Sequence, residues 1–112
     1  MVKWYVKHLE ETSIADGEKR ELKWSVNKHA LVKYILIRRA DGKSWGASKV
    51  TVAIDQEYIT DEEAPASLFG TDLENPFPIE HEVKEGYEVK VYLLNKEGET
   101  IDVYVDIIYE LI

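Results

Sequence analysis

The chain has 112 residues, a length typical of one domain built around one hydrophobic core. Hydrophobic residues make up 45% and charged residues 32% of the sequence, which is the balance of a packed globular protein. The formal net charge of -8 opposes binding to nucleic acid or anionic lipid, and the lack of cysteine excludes disulfides, thiolate metal sites and thiol nucleophiles.

The start of the chain has no pattern typical of export or membrane insertion. Charged or polar residues interrupt the first twelve positions at Lys3, Lys7, His8, Glu10 and Glu11, so we expect no signal peptide. No apolar run approaches the roughly 20 residues that span a bilayer, so we expect a soluble protein without a membrane partner. Abundant lysine and glutamate, with a single methionine, also fit a thermostable protein from a thermophilic source.

Alternating apolar and polar residues predict strands through the first half of the chain. In the segment Val2–Leu9 this alternation places Trp4 and Val6 on the inward face. A second strand follows the Asp16–Gly17 turn, and its inward residues are Leu22, Trp24 and Val26. The segment Leu31–Arg39 is apolar at nearly every position, which is typical of a central strand covered on both faces.

Two short turns that contain glycine predict hairpins. Asp41–Gly42 tolerates the positive φ angles that a tight two-residue turn requires. Lys96–Gly98 fits a three-residue loop with Gly98 in the left-handed conformation, and the resulting register places Val91 opposite Val103. We therefore expect the strands on either side of each turn to be paired.

A long connection and four further strands are predicted in the rest of the chain. The segment Val50–Ile54 alternates, and Thr60–Pro78 forms a loop over one end of the domain, held down by Phe69 and Phe77. A capping-box sequence at Thr60–Glu63 allows at most one short helical turn, because Pro65 follows it. After a short strand from Ile79, the inward residues of the last two strands are Tyr87, Val89, Val91, Leu93, Ile101, Val103, Val105, Ile107, Tyr109 and Leu111.

About seven or eight strands at short spacing, without an apolar period of 3.6 residues, predict an all-β fold. We expect residues 1–112 to form one antiparallel β-sandwich. The Cys-Trp-Cys spacing of antibody domains is absent, and the long connection before Ile79 is typical of a crossing between sheets. These observations favour a jelly roll over an immunoglobulin-like sandwich.

The residue types that carry catalysis or bind metals are scattered. His8, His29 and His81 lie far apart without a second ligand at zinc-site spacing, and no phosphate loop or nucleophile motif is present. We therefore expect no enzyme activity, no cofactor and no metal. Two weaker alternatives are a calcium site in the acidic segment Asp55–Glu63 and a catalytic group formed by His81 with Glu80 or Glu82.

Two surfaces are candidates for binding. Trp45 follows the Asp41–Gly42 turn, where we expect it to be exposed, and with outward tyrosines such as Tyr5, Tyr92 and Tyr104 it could stack on a glycan as in a carbohydrate-binding module. The face of the last strand opposite the core carries a second apolar stripe of Tyr104, Ile108 and Ile112. A stripe of this kind is either covered by the domain's own loops or used for self-association, and we expect a homo-oligomer.

The tight turn at Glu97–Gly98 and the long last strand resemble those of small jelly-roll proteins of viral and phage particles, such as capsid, decoration or fibre components. The resemblance covers about the second half of the chain, includes no diagnostic motif and transfers no functional residue. It implies a non-catalytic structural protein that self-associates or attaches to a larger assembly such as a virion.

Overall fold

The computed structural model describes residues 3–112, so Val2, the predicted start of the first strand, lies outside the described residues. Within these described residues, nine strands and one short 3₁₀ helix, η1, follow one another. They are β1 (Trp4–Ile14), β2 (Lys19–Ser25), β3 (Ala30–Arg39), β4 (Lys49–Ile54), β5 (Glu57–Tyr58), β6 (Ala64–Pro65), η1 (Ala66–Phe69), β7 (Pro78–Val83), β8 (Glu88–Leu94) and β9 (Ile101–Leu111).

The strands form two antiparallel sheets, which confirms the predicted all-β sandwich. Sheet A has the order β1-β9-β3-β7, and sheet B has the order β2-β8-β4-β5 with β6 paired to β4. The pairs β1–β9, β2–β8, β3–β7 and β4–β5 are nested, as in a long hairpin wrapped around a core. This is the arrangement of a jelly roll. An immunoglobulin-like sandwich keeps its first two strands in one sheet, whereas β1 and β2 lie in different sheets.

Both hairpin predictions are wrong, although Gly42 and Gly98 have the positive φ angles that were predicted for them; Asp41 does not. Gly42 has a φ of 77° and donates its N–H to the carbonyl oxygen of Arg39 over 3.1 Å. Gly98 has a φ of 83°. However, β3 and β4 belong to different sheets, and so do β8 and β9. A tight turn can connect two sheets as well as two neighbouring strands, so local turn chemistry does not determine which strands pair.

The predicted register of the last two strands is therefore wrong as well. Val91 lies opposite Leu22 in β2 and Val52 in β4, not opposite Val103. Val103 lies between Glu11 of β1 and Arg39 of β3. Both valines are nevertheless fully buried, as the alternation predicted. Val91 points from sheet B and Val103 from sheet A into the core between the two sheets.

The inward face was predicted correctly for most strands but not for β1. Alternate residues of β2, β4, β8 and β9 are buried as expected, except that Leu111 is exposed at the end of β9. In β1 the phase is reversed: Trp4 and Val6 are exposed, while Tyr5 and Leu9 pack against the core. The ring of Tyr5 stacks on that of Tyr109 at 5.6 Å between centroids. Both faces of β1 carry large apolar residues, so alternation alone does not distinguish them.

The long loop is held against β3 by its phenylalanines and by one backbone hydrogen bond. Phe69, at the end of η1, is buried, and its ring lies edge-on to that of the partly exposed Phe77, with centroids 5.4 Å apart. Ile37 of β3 donates its N–H to the carbonyl oxygen of Gly70 over 3.0 Å. The helical turn begins after Pro65, so the capping-box sequence at Thr60–Glu63 does not start it.

A buried polar network joins the loops at one end of the sandwich. Glu97 Oε1 accepts hydrogen bonds from Arg39 Nη1 at 3.0 Å and from the N–H of Gly46 at 2.8 Å. Its Oε2 accepts from the N–H and the hydroxyl of Ser48, at 3.2 and 2.6 Å. The β8–β9 turn is thereby bonded to the β3–β4 connection, which it does not follow in sequence.

Asn95, next to this network, attaches the β1–β2 turn. Its side-chain amide donates to the carbonyl oxygens of Ile14 at 2.9 Å and Glu99 at 2.8 Å. The backbone carbonyl oxygen of Asn95 accepts a hydrogen bond from the N–H of Gly17 at 2.7 Å. Three crossings between the sheets are thus fixed by buried polar groups, which need these partners because unpaired polar atoms are costly away from water.

Candidate functional site

Two large apolar side chains are exposed side by side on the outer face of sheet A. Trp4 is 45% and Val6 is 59% exposed. Val6 lies opposite Ile108 of β9, which lies opposite Tyr34 of β3. The rings of Trp4 and Tyr34 meet edge to face at 5.8 Å although β9 separates their strands, so they lie over β9 and leave Ile108 only 4% exposed. These four residues are called the Trp4 patch below.

The predicted apolar stripe on β9 is not one continuous exposed surface. Ile108 is the covered floor of the Trp4 patch. Ile112 is exposed at the chain end, where its N–H donates to the carbonyl oxygen of His29 over 3.2 Å. Tyr104 is partly buried, with the guanidinium carbon of Arg38 5.2 Å from its ring centre. Exposed apolar surface on this face therefore comes from β1 as well as from the chain end. A binding role for Tyr104, Ile108 and Ile112 stays a prediction.

The β1 strand lies at one edge of sheet A and, among residues 3–112, pairs only with β9. Its ends carry opposite charge: Lys3 and Lys7 lie in or next to the first half, and Glu10 and Glu11 in the second. Near the end of β1 the carbonyl oxygens of Thr12 and Ser13 accept long hydrogen bonds from Arg20, at 3.5 and 3.4 Å. The strand up to Glu11 is thus the part available for pairing.

An ionic group borders the Trp4 patch on the outer face of sheet A. His8 Nδ1 lies 2.5 Å from Asp106 Oδ1, and its Nε2 lies 3.1 Å from Glu10 Oε1. Arg38 donates to the other Asp106 oxygen at 3.1 Å. The hydrogen bond to Asp106 raises the pKa of His8 above its ordinary value of 6.5, against an opposing effect of burial. Folding therefore favours the protonated imidazole.

Stability should consequently depend on the charge of His8. A pKa that is raised in the folded state stabilises the fold fully below the unfolded pKa of about 6.5, and this stabilisation is lost as pH rises through the folded pKa. We expect the parent's melting temperature to fall over that interval more than that of His8→Gln. Thermal melts of both proteins from acid to mildly alkaline pH give the comparison. Parallel profiles would contradict a raised pKa at His8.

Trp45 does not project into solvent as predicted. Its side chain is partly buried against the core, and its indole N–H donates to the carbonyl oxygen of Ile37 over 2.8 Å. The β3–β4 connection crosses from one sheet to the other, which turns a residue just after the turn toward the interior. Trp45 instead lines a cleft of about 700 Å³ with Arg38, Asp72 and Asn75. Its binding role stays a prediction, without the exposure on which that prediction was based.

A second surface with aromatic residues lies on the outer face of sheet B. Tyr92 of β8 lies between Glu21 of β2 and Thr51 of β4. With Tyr58 of β5 these side chains line a groove of about 460 Å³, whose other lining residues are Lys19 and Arg20. This surface is called the Tyr groove below. Tyr92 was predicted as a binding residue, whereas Tyr58 was missed because the acidic residues before it show no strand alternation.

The remaining predicted aromatic and catalytic groups are not brought together. Tyr5 faces the core rather than solvent. Glu80 binds Lys33, at 2.7 Å, so it does not join His81 in a catalytic group. Each histidine has a carboxylate partner of its own, in the pairs His8–Asp106, His29–Glu82 and His81–Glu57. Within residues 3–112 no three histidine, aspartate or glutamate side chains could hold a metal ion, so the acidic segment Asp55–Glu63 gives no support to the calcium alternative.

In the part of the chain from residue 3 to residue 112, no helix is long and apolar enough to cross a bilayer. No protein-family model, curated protein or solved structure gives a significant match to the chain.

Proposed function

We propose that this protein is a non-catalytic assembly subunit that associates with copies of itself through the Trp4 patch and the β1 edge. The exposure of Trp4 and Val6 on the outer face of an edge strand is the observation that carries the proposal. An antiparallel sheet face that meets only water is normally polar. An exposed apolar surface beside an unpaired strand edge is typical of a site that joins another chain.

The partner that fits this edge is a second copy of the chain. Antiparallel pairing of β1 with β1 of another molecule sets the half with Lys3 and Lys7 against the half with Glu10 and Glu11. Opposite charges on facing strands stabilise such a pair. The two-fold symmetry of this contact is the commonest symmetry among homo-oligomers. The two Trp4 patches would then lie next to each other on one face of a continuous sheet, where their apolar side chains can pack together across the new strand pair.

The surroundings of the Trp4 patch support an interface. One border is the His8, Asp106 and Arg38 group, and the other contains Lys33, which binds Glu80 and lies 3.5 Å from Glu110. An apolar centre with a polar rim is the usual composition of a protein interface. The jelly-roll order also occurs in viral capsid domains. On that likeness of fold, which does not by itself determine function, we propose a virion or similar particle as the larger assembly.

Val6→Lys is expected to dissociate the oligomer and leave the fold intact. Val6 is mostly exposed, so a lysine there needs no burial in the monomer, whereas in the proposed dimer it would place two ammonium groups against an apolar surface. Light scattering coupled to size exclusion would show a dimer or larger species for the parent and a monomer for the variant. Their melting temperatures, extrapolated to low protein concentration, should agree.

Leu73→Lys is the matched control, because Leu73 is similarly exposed but lies in the long loop and belongs neither to β1 nor to the Trp4 patch. This control should keep the parent's mass. Ile108→Lys would be a poor probe, because it would bury an ammonium group under Trp4 and Tyr34. A parent that stays monomeric at several hundred micromolar, or a Val6→Lys variant with the parent's mass, would rule out this interface.

A further inference from the structure

We infer that the Tyr groove binds a neutral saccharide. The groove lies on the outer face of sheet B, whereas the Trp4 patch lies on the outer face of sheet A. Binding in the groove therefore does not depend on the proposed self-association, and either proposal can fail without the other. Its volume of about 460 Å³ lies within the range of small-ligand clefts.

The two tyrosines provide surfaces on which a sugar ring can stack. Tyr58 is 66% exposed, and within residues 3–112 no other aromatic ring packs against it or against Tyr92. The C–H face of a pyranose is apolar and is suited to packing on the face of an aromatic ring. Two tyrosines in one groove can therefore hold a sugar by its apolar face while its hydroxyls remain available for hydrogen bonds.

Polar groups lie beside this platform at the same level of the sheet. Glu21 and Thr51 occupy the positions directly opposite Tyr92 on its two neighbouring strands, so all three side chains share one face. A carboxylate can accept two hydrogen bonds from adjacent sugar hydroxyls, and a threonine hydroxyl can donate or accept. Lys19 Nζ lies 5.8 Å from the Tyr92 ring centre on a half-exposed side chain, so it can turn toward a ligand oxygen.

The charges of the groove favour a neutral ligand. Arg20 is already bound to Glu11 at 2.6 Å and to Glu18 at 2.7 Å. The charges of Lys19 and Glu21 offset each other within the groove. The whole chain carries a formal charge of -8, which opposes the approach of sulfated or carboxylated glycans. A neutral polyhydroxyl ligand thus meets both donors and acceptors without having to balance a net charge.

Tyr58 and Tyr92 both lie on strands, so their positions are largely fixed before any ligand binds. Tyr58 pairs with Ala53, and the next residue, Ile59, donates its N–H to the carbonyl oxygen of Val52 over 2.8 Å. The hydroxyl of Thr60 accepts the N–H of Val52 at 3.3 Å. These contacts attach β5 to the buried strand β4. A preformed site loses less conformational entropy on binding than a mobile loop would.

The test is a glycan array of neutral and anionic oligosaccharides, followed by an NMR titration of the strongest neutral ligand into the ¹⁵N-labelled full chain. We expect binding to neutral glycans, with saturable shifts at the backbone amides of Glu21, Thr51, Tyr58 and Tyr92. Tyr58→Ala should weaken the affinity by about fivefold to tenfold, as expected for the loss of one aromatic contact. Its melting temperature should stay close to that of the parent, because the Tyr58 side chain is mostly exposed.

Leu73→Ala is the matched control, because Leu73 is an exposed apolar residue outside the groove, and its affinity for the same glycan should equal that of the parent. Tyr92→Phe keeps the second ring and should retain most of the affinity, which separates stacking from a role of the hydroxyl. The inference is overturned by an absence of glycan binding at millimolar concentration, by binding to anionic glycans alone, or by equal affinities of Tyr58→Ala and the parent. Shifts confined to the Trp45 cleft would also overturn it.

Discussion

Replacing Glu97 with alanine is expected to lower the free energy of unfolding by about 3–5 kcal/mol, the usual cost of removing one partner of a buried ion pair. The Glu97 side chain is only 3% exposed and that of Arg39 only 6%. The substitution would leave the guanidinium with its more exposed partners alone and would free the N–H groups of Gly46 and Ser48. Urea denaturation followed by circular dichroism measures the loss.

Glu99→Gln is the control, because Glu99 also binds Arg39 but is half exposed. Its effect should stay below about 1 kcal/mol, as for other exposed pairs. Equal denaturation midpoints for the parent and Glu97→Ala would show that the network does not stabilise the fold.

The Glu97 carboxylate should make the stability of the parent sensitive to acid. Burial would raise the pKa of Glu97, but the hydrogen bonds from Ser48, Gly46 and Arg39 outweigh it and bring the pKa below its ordinary value of 4.5. Its stabilisation is therefore present above the unfolded pKa of about 4.5 and is lost as pH falls through the folded pKa. The stability difference between the parent and Glu97→Ala should shrink in that direction.

The inward residues of β2, β4, β8 and β9 could be predicted because a strand with one buried face repeats every second residue. Strand pairing could not be predicted in this way. Val91 meets Leu22 and Val52, which are distant in the chain, and no local pattern specifies such partners. The turns at Asp41–Gly42 and Lys96–Gly98 were identified from residues that accept positive φ angles. Which sheet the chain enters after such a turn is decided by packing of the whole core.

The candidate surfaces were harder to predict than the core. Trp4 and Val6 alternate with Tyr5 and Lys7, so either phase of β1 could have faced inward, and a change of one residue moves every side chain to the other face. Tyr5 faces inward and stacks on Tyr109, a contact between strands at opposite ends of the chain. The Trp4 patch is therefore a consequence of tertiary packing that alternation could not show.

The polar network had no sequence signal because its members come from separate loops. Asn95 and Glu97 are the kinds of residue expected in a solvated turn. Glu97 is bound by Arg39 at the end of β3 and by Ser48 in the β3–β4 connection. The Asn95 side chain is bound by the carbonyl oxygens of Ile14 and Glu99. The same convergence explains why Trp45 is turned inward, since its indole N–H is bonded to Ile37 of the strand that precedes this connection.

The two proposed surfaces are geometrically compatible. Antiparallel pairing of two β1 strands has its two-fold axis perpendicular to sheet A, so sheet B of each copy would lie on the same side of the joined sheet. The two Tyr grooves would then face in the same direction. A weak saccharide contact in each copy would be strengthened on a surface that carries many glycans, because the second contact forms within an already bound dimer.

Val91→Asp and Val103→Asp are each expected to unfold the domain. Both side chains are fully buried, one in each sheet, and a buried unpaired carboxylate costs several kcal/mol. The total stability of a domain of this size is only about 5–15 kcal/mol. Lys90→Asp, one position before Val91 and directed outward, should keep a cooperative thermal transition. Melts of the valine variants within a few degrees of the parent would contradict the core described here.

The jelly-roll order itself can be tested at the same positions with engineered cysteines, since the natural chain has none. Val91 and Val52 are directly paired in sheet B, whereas Val103 lies in sheet A. Packed sheets lie about 10 Å apart, beyond the reach of roughly 7 Å between the Cα atoms of a disulfide. Mild oxidation should therefore crosslink Val52→Cys with Val91→Cys but not Val91→Cys with Val103→Cys, as read by mass spectrometry. Efficient crosslinking of the second pair would restore the local hairpin and exclude the nested pairing of β1 with β9 and of β2 with β8.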